Sequence, residues 1–429
     1  MVEKLQIALE SQNPWWFGKE FETGVERLSF FPSLMQYLDA PEVLLLIGAR
    51  RTGKSTLLYQ IISSLLGRGV PGRAILFITM DEPLLLSMAD DPWLIRRIVE
   101  DHLARHPGLE RLYLCIDEVQ HYPSWVPTIK TLYDTKSTVK CILTGSISSL
   151  LRQESSRLLS GRYFSCTVYP LSFPEFLRIQ GILNPTIIEK RHYFEMYLKY
   201  GGFPRVVLEK DEDLKMQILK NYYETIYLKD IIYPNRVRKN FEVTDLLYYL
   251  ISNAGNAVSY NQIARTLNIA PDTVREYIEY AGNAFLLYPL MKFDYSVKKQ
   301  VANPKKIYFV DPGLINAVAF AFSENRGRLL ENIVFIALMK KYGDIFYHRD
   351  RYECDFLVRS GRTIVQAVQV TQSLQDDATR QREMRGLVEA MDAHGLDEGT
   401  IVTASESAET TVDGRAVHTV PIAEWLEEL

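Results

Sequence analysis

Cysteine is scarce in this chain: Cys115, Cys141, Cys166 and Cys354 are the only four among 429 residues. Their spacing cannot hold a metal, and so few in so long a chain exclude a disulfide scaffold. No apolar run approaches the roughly 20 residues needed to span a bilayer. The opening MVEKLQIALESQ has no basic stretch followed by an apolar core, so it does not read as a signal peptide. A cytoplasmic protein with no membrane partner is the expectation. An excess of basic charge is also missing. The 49 Lys and Arg stand against 53 Asp and Glu, a formal net charge of −4, which gives no global pull toward nucleic acid or anionic lipid. Internal repeats and low-complexity tracts are absent too.

What is present is globular. A hydrophobic share of 47% with 24% charged residues excludes wholesale disorder. The length suggests two to four domains at roughly 100–200 residues each. Trp15 and Trp16 follow a proline near the start and read as a docking segment that packs on the core. From Val43 onward, short apolar runs without polar alternation (VLLLI, RAILFITM, LYLCI, KCILTG) predict strands buried on both faces of a parallel sheet, with helices between them. YPLSFPEF marks a break near Pro174. The segmentation expected is an α/β core over 1–174, a helical connector or lid over 175–242, a compact unit over 243–310 and a second α/β or α+β unit over 311–429. In that last unit a helix is expected over 329–342 and strands at IFYHR, CDFLVRS and TIVQAVQV. Its charge is uneven with the rest: from Asp311 on, 12 Arg and Lys face 20 Asp and Glu, a net of −8.

The segment GARRTGKST matches G-x-x-x-x-G-K-[ST] directly after the apolar run VLLLI. It comprises Gly48, Ala49, Arg50, Arg51, Thr52, Gly53, Lys54, Ser55 and Thr56. Glycines let backbone N–H groups turn inward around phosphates, and the following helix points its positive end at them. Lys54 would reach the β and γ phosphates of ATP, and Ser55 would ligate Mg²⁺. The next element, LYLCIDEVQ, is an apolar strand ending in two carboxylates. Asp117 would hold Mg²⁺, mostly through water, and Glu118 would polarise the attacking water. The run CILTGS delivers Thr144 or Ser146 near the γ-phosphate, and the residues do not choose between them. Downstream, Arg157 and Arg162 in SSRLLSGRYF can supply a guanidinium across a subunit interface.

The order GARRTGKST, CIDEVQ, ILTGS, then SGR followed by YPLSFPEF, resembles the AAA-type ATPases of archaea and bacteria. It is closest to a subgroup with a long C-terminal extension of uncharacterised function, which the later segments YLKYGGFPRVV, KKIYFVDPGL and LLENIVFIAL also resemble. The resemblance implies a Mg²⁺-dependent ATP hydrolase with Lys54, Ser55, Asp117 and Glu118 in these roles. It favours Arg162 as the trans-acting arginine, and a homo-oligomer for which a six-membered ring is one form.

SYNQIARTLNIAPDTVREYIEYAGNAFLLYPLMKF, residues 259–293, has the layout of a winged helix-turn-helix. Ser259 can cap the first helix, Asn268 makes the turn and Pro271 opens the second. The exposed positions expected on that second helix, Asp272, Thr273, Arg275, Glu276 and Glu279, carry three carboxylates against one arginine, which repels phosphate. The following stretch is basic. Lys298, Lys299, Lys305 and Lys306, with Arg236, Arg238 and Lys239, form a candidate rim for sequence-independent nucleic-acid contact. The C-terminal unit resembles the restriction-endonuclease superfamily with its PD-(D/E)XK core. Glu331 and Asp355 would supply two acids, whereas Gln369 and Thr371 replace the glutamate and lysine of the third motif. A glutamine carbonyl can ligate Mg²⁺, but Thr371 cannot supply a cation, so an inactive, degenerate site is expected. The reading is a DNA-associated ATP-driven motor or remodeller. The alternatives are a regulatory nucleotide switch with a protein partner and, last, an ATP-coupled nuclease.

Overall fold

The computed structural model describes residues 2–27, 31–135, 138–146, 161–319 and 326–429; Arg157 lies outside them. The chain divides into two compact units, Met1–Val168 and Tyr169–Leu429.

In the first unit the four apolar runs are strands, β1 (Val43–Ile47), β2 (Ile75–Thr79), β3 (Leu112–Asp117) and β4 (Val139–Gly145), and a fifth strand, β5 (Tyr163–Thr167), joins them. All pairings are parallel, in the order β2-β3-β4-β1-β5. Every residue of β1, β3 and β4 is buried, as expected of strands covered on both faces. Helices Lys54–Gly67, Leu94–Arg105 and Trp125–Thr135 link the strands. One charged residue interrupts β4. Lys140 is 2% exposed and donates to the carbonyl oxygens of Tyr37 (2.5 Å), Ala40 (2.7 Å) and Glu42. Burial lowers its pKa to about 8.

The N-terminal segment covers the exposed edge of β2. The Asn13 amide accepts from Phe77 N–H (2.7 Å) and donates to the Phe77 carbonyl (2.8 Å), as a neighbouring strand would. The indoles of Trp15 and Trp16 both donate to the Ile75 carbonyl, at 3.2 and 2.8 Å. An open strand edge is a liability, and here side chains close it. The docking reading of the tryptophans matches this geometry.

The second unit opens with helices Phe173–Ile179, Ile187–Tyr200, Pro204–Leu208 and Glu212–Ile226, the last running into a π-helical turn, Tyr227–Ile232. After helix Asn240–Ser252 come helices Tyr260–Leu267 and Pro271–Asn283 and a small sheet ordered β6-β8-β7, with β6 Ala257–Val258, β7 Leu287–Met291 and β8 Lys305–Phe309. Asn268, at φ 53, makes the turn between the two helices. Ser259 occupies the N-cap position, but its hydroxyl makes no capping bond.

The rest is a mixed sheet of β9 (Ile345–Arg349), β10 (Glu353–Ser360), β11 (Thr363–Val370), β12 (Glu398–Thr403), β13 (Ala408–Val412) and β14 (Arg415–Pro421), ordered β13-β14-β12-β11-β10-β9. Strands β9 to β11 run antiparallel, and helix Asp377–His394 crosses over to make β12 parallel to β11. Leu387 and Met391 of that helix pack with Leu357, Ile401 and Val417 of the sheet. The two sheets are tied together. Phe293 N–H donates to the Tyr347 carbonyl at 2.8 Å. Asn332, on helix Arg326–Lys341, exchanges both amide hydrogen bonds with the backbone of Phe309 at 2.8 Å. Asp311 is buried among backbone donors, accepting from Gly202 N–H (2.7 Å) and Gly313 N–H (2.8 Å). A Cβ on Gly201 would meet its carboxylate at 1.8 Å, so only glycine fits there.

Candidate functional site

The loop after β1 has the conformation a phosphate cradle needs. Gly48 has φ 150, and a Cβ there would stand 2.2 Å from the Val168 carbonyl oxygen. Arg51 (φ 68) and Gly53 (φ 94) are left-handed; such turns aim successive N–H groups into one concavity. Helix Lys54–Gly67 starts directly on Gly53 with no side-chain cap, which leaves the amides of its first turn to a phosphate. Lys54 is 4% exposed and donates to the carbonyls of Gly48 (3.0 Å) and Ala49 (2.9 Å). The Thr52 hydroxyl closes the loop on the Ala49 carbonyl at 3.0 Å. Arg50 is half-buried and Arg51 exposed. The methyl of Thr56 lies against Gly24, where a Cβ would come within 2.9 Å.

The strand order sets the remaining groups. Strand β4 lies between β1 and β3, with Leu46 opposite Thr144 and Ile47 opposite Gly145. It therefore brings Thr144 to both the loop and Asp117. Ser55 Oγ donates to Asp117 Oδ2 at 2.8 Å, and Thr144 Oγ1 donates to Asp117 Oδ1. Burial pushes the Asp117 carboxyl above the usual carboxylate range; the Thr144 hydroxyl opposes this, Glu118 adds to it, and Ser55 and Lys54 oppose it further. A Mg²⁺ ion fits these oxygens. Oxygen donors of this kind suit that hard cation: Ser55 would ligate it, and Asp117 would hold it mostly through water.

Glu118 takes a left-handed conformation, φ 53, and its N–H donates to Thr144 Oγ1 at 3.0 Å. Gln120 Nε2 donates to Glu118 Oε2 and to Ser146 Oγ, the latter at 3.1 Å. Thr144 thus serves Asp117, whereas Ser146 stands beside Glu118. Gln120 escaped sequence reasoning, although it lies in the same IDEVQ segment. Arg27 escaped it as well. Its guanidinium is 3% exposed and donates to the Thr52 carbonyl at 3.0 Å. Gln60 of the helix after the loop accepts from Arg27 N–H (3.3 Å) and donates to the carbonyls of Thr23 (2.9 Å) and Val25 (2.8 Å). No pattern signals a residue that far ahead of the loop.

Arg162 immediately precedes β5, half-exposed, with Asp134 at 3.4 Å and the Tyr133 ring 5.8 Å away. In the second unit Asp272, Arg275, Glu276 and Glu279 are exposed as expected. Of the basic residues, Arg236, Arg238, Lys239, Lys298 and Lys299 are exposed, Lys299 with Asp294 at 3.9 Å. Lys239 pairs with Glu242 at 2.8 Å. Lys305 donates to the carbonyls of Asn303 (2.7 Å) and Val301. Lys306 has to be removed from the rim. Strand β8 alternates its faces, so Lys306 points inward, 3% exposed, onto the carboxylates of Glu331, Glu353 and Asp355. Asp355 and Gln369 are neighbours across β10 and β11: Asp355 N–H donates to Gln369 Oε1 at 3.1 Å. Thr371 is buried and donates to the Ser373 carbonyl at 3.4 Å.

Residues 40–177 match the family model described as an AAA domain, and residues 191–325 match a domain of unknown function. An uncharacterised protein of Haemophilus influenzae is 29% identical over 408 residues, 94% of this chain and 98% of the relative. An uncharacterised protein of Methanocaldococcus jannaschii is 29% identical over 406 residues, 90% of this chain and 88% of the relative. Among solved structures, the Aeropyrum pernix ORC1 protein in complex with DNA aligns with 71% of this chain and 95% of its own at 11% identity and TM-score 0.33, too distant to bear on the argument. The first unit therefore carries an AAA-type P-loop core. No helix among the described residues is long and apolar enough to cross a membrane.

Proposed function

We propose that this chain is a Mg²⁺-dependent ATP hydrolase working as a homo-oligomer. The observation that carries the reading is the convergence of Ser55, Asp117 and Thr144 behind a loop whose amides turn inward. Lys54 exchanges its two loop carbonyls for the β and γ phosphates. Ser55 would ligate the metal and Asp117 would hold it mostly through water; the ion would neutralise charge on the phosphates. Glu118, steadied by Gln120 and Ser146, orients the attacking water and accepts its proton. Arg162 gives up an exposed aspartate to stabilise charge at a neighbouring subunit's site. The second unit is a winged helix followed by a degenerate nuclease-like domain.

DNA is the partner we favour, bound through phosphates by Arg236, Arg238, Lys298 and Lys299 without reading bases. A protein-partnered nucleotide switch is the second reading. It is favoured by the withdrawal of Lys306 from the surface and by the acidic face of helix Pro271–Asn283. ATP turnover measured with and without DNA over a salt series separates them. Stimulation that falls steeply with salt supports the DNA reading, and turnover indifferent to DNA at low salt supports the switch. Loss of turnover in Lys54→Ala tests the hydrolase reading itself; unchanged turnover would overturn it.

A further inference from the structure

Strand β8 belongs to the small sheet, yet its Lys306 reaches into the mixed sheet's territory. Lys306 Nζ stands 2.8 Å from Glu331 Oε1, 2.8 Å from Glu353 Oε1 and 2.8 Å from Asp355 Oδ1. The ammonium donates to Glu331 Oε1 and Asp355 Oδ1 and forms an ion pair with Glu353 Oε1. The acids are otherwise engaged as well. Tyr308 donates its hydroxyl to Glu331 Oε1 at 2.5 Å, and Val370 N–H donates to Asp355 Oδ2 at 3.0 Å. Burial alone would lower the lysine's pKa; Asp355, Glu331, Tyr308 and Glu353 outweigh it and hold the ammonium charged. Glu353 is the acid that meets solvent. It lines a polar cavity of about 370 Å³ with Tyr249, Asn253, Asn256, Gln262 and Arg349, and Arg349 lies 3.5 Å from its other oxygen.

We propose that Lys306 is the permanent cation of this carboxylate cluster, a built-in ammonium that fastens the small sheet to the mixed sheet and keeps divalent metal out. Three carboxylates around one monovalent cation leave two surplus negative charges, one of which Arg349 offsets at the rim. Such a cluster needs a cation to stay buried. The chain supplies its own from 25 residues upstream of Glu331 and 49 upstream of Asp355. Because the ammonium is buried and ion-paired to all three acids at once, the lysine is a clamp, and this separates it from a lysine that would assist hydrolysis at the same acids. The inference does not depend on the ATPase reading.

The test uses the full-length chain without nucleotide and carrying Asp117→Asn, so that Mn²⁺ finds no ligand pair at the phosphate loop. With Lys306 intact, Mn²⁺ should neither shift the unfolding temperature nor bind to the second unit, and linear, nicked and branched DNA should stay uncut. With Lys306→Met added, the unfolding temperature should drop, and Mn²⁺ should restore it while one equivalent binds. Asp355→Asn should abolish that response. If Lys306→Met does not fold alone, refolding in Mn²⁺ should recover it. Lys306→Met with Glu331→Gln and Asp355→Asn should fold without metal and ignore it, because nothing charged is left unpaired. Mn²⁺ binding that needs Asp355 while Lys306 is present would overturn the proposal. So would metal-dependent DNA cleavage lost in Asp355→Ala, or a Lys306→Met chain that neither responds to nor is rescued by Mn²⁺.

Discussion

Lys54 and Lys306 are both buried lysines with acids close by, and they are held in opposite ways. Lys54 donates to two carbonyls of its own loop, and the nearby Asp117 is held by neutral hydroxyls from Ser55 and Thr144. The two acceptors on Lys54 are neutral carbonyls, and the two donors to Asp117 are neutral hydroxyls. Lys306 sits among three carboxylates and its charge is spent inside the protein. The difference follows from backbone geometry. A glycine-rich loop can fold its carbonyls around a lysine and keep it from the acid two strands away. A lysine on a regular strand must point where the strand's alternation sends it. A cluster open to ligands and a cluster closed on itself can thus be made of the same residue types.

The largest effect is expected where the open site does chemistry. Glu118→Gln should lower ATP turnover by about 10²- to 10⁴-fold, the usual contribution of a positioned base, and leave nucleotide affinity in place. Lys54→Ala should lose the affinity instead. Turnover assays beside a fluorescent-nucleotide titration distinguish the two, and full turnover in Glu118→Gln would mean that another residue is the base. The stability contrast comes next. Lys306→Met should destabilise the second unit by about 3–5 kcal/mol, because it strands buried carboxylates. Lys54→Met should cost the first unit only about 1–3 kcal/mol, the scale of lost hydrogen bonds. Urea unfolding followed separately for the two units measures both, and equal losses would break the comparison.

A third prediction concerns Asp311, which, like the Lys306 cluster, is buried, but which has only backbone donors around it. Burial raises its pKa from 3.8 to about 7, against the hydrogen bonds from Gly202, Gly313 and Leu314. Between those values the folded chain binds more protons than the unfolded one, so this group's contribution to stability is full below pH 3.8 and lost as pH rises through about 7. Asp311→Asn should be less stable by about 1–3 kcal/mol, since one N–H loses its acceptor. It should also lose the decline over that window. Unfolding free energies at stepped pH report it, and an identical slope in both proteins would refute the assignment. The smallest effect belongs to Arg162. Its pair with Asp134 is exposed, so Arg162→Ala should change stability by less than about 1 kcal/mol while turnover falls. Mixing it with Glu118→Gln should recover some activity at mixed interfaces. Full activity of a strictly monomeric protein would remove the role across subunits.

The phosphate loop, its Asp-Glu partner and seven of the strands were legible because each is a local pattern; β5, β12, β13 and β14 were not. GKST sits on the loop-helix junction, the apolar runs are β1 to β4, and IFYHR, CDFLVRS and TIVQAVQV fall on β9, β10 and β11. Local patterns stop at contact. Thr144 and Ser146 read alike until the order of β3, β4 and β1 set one against Asp117 and the other beside Glu118. Arg27, with Thr52 as its partner, and Gln120, which bridges Glu118 and Ser146, acquire their roles only from what the fold brings near.

Lys306 marks the boundary most clearly. Read in line, KKQVANPKK is a basic run, and a basic run reads as a surface. Composition and spacing determined that this chain folds as α/β units around a nucleotide-type loop, because periodicity, glycine position and helix polarity act over a few residues. Whether a given charge faces water or another charge depends on strand pairing and on what packs against the strand. In β8 those long-range contacts place Lys305 on the outside, curled onto its own backbone, and Lys306 inside, spent on three acids.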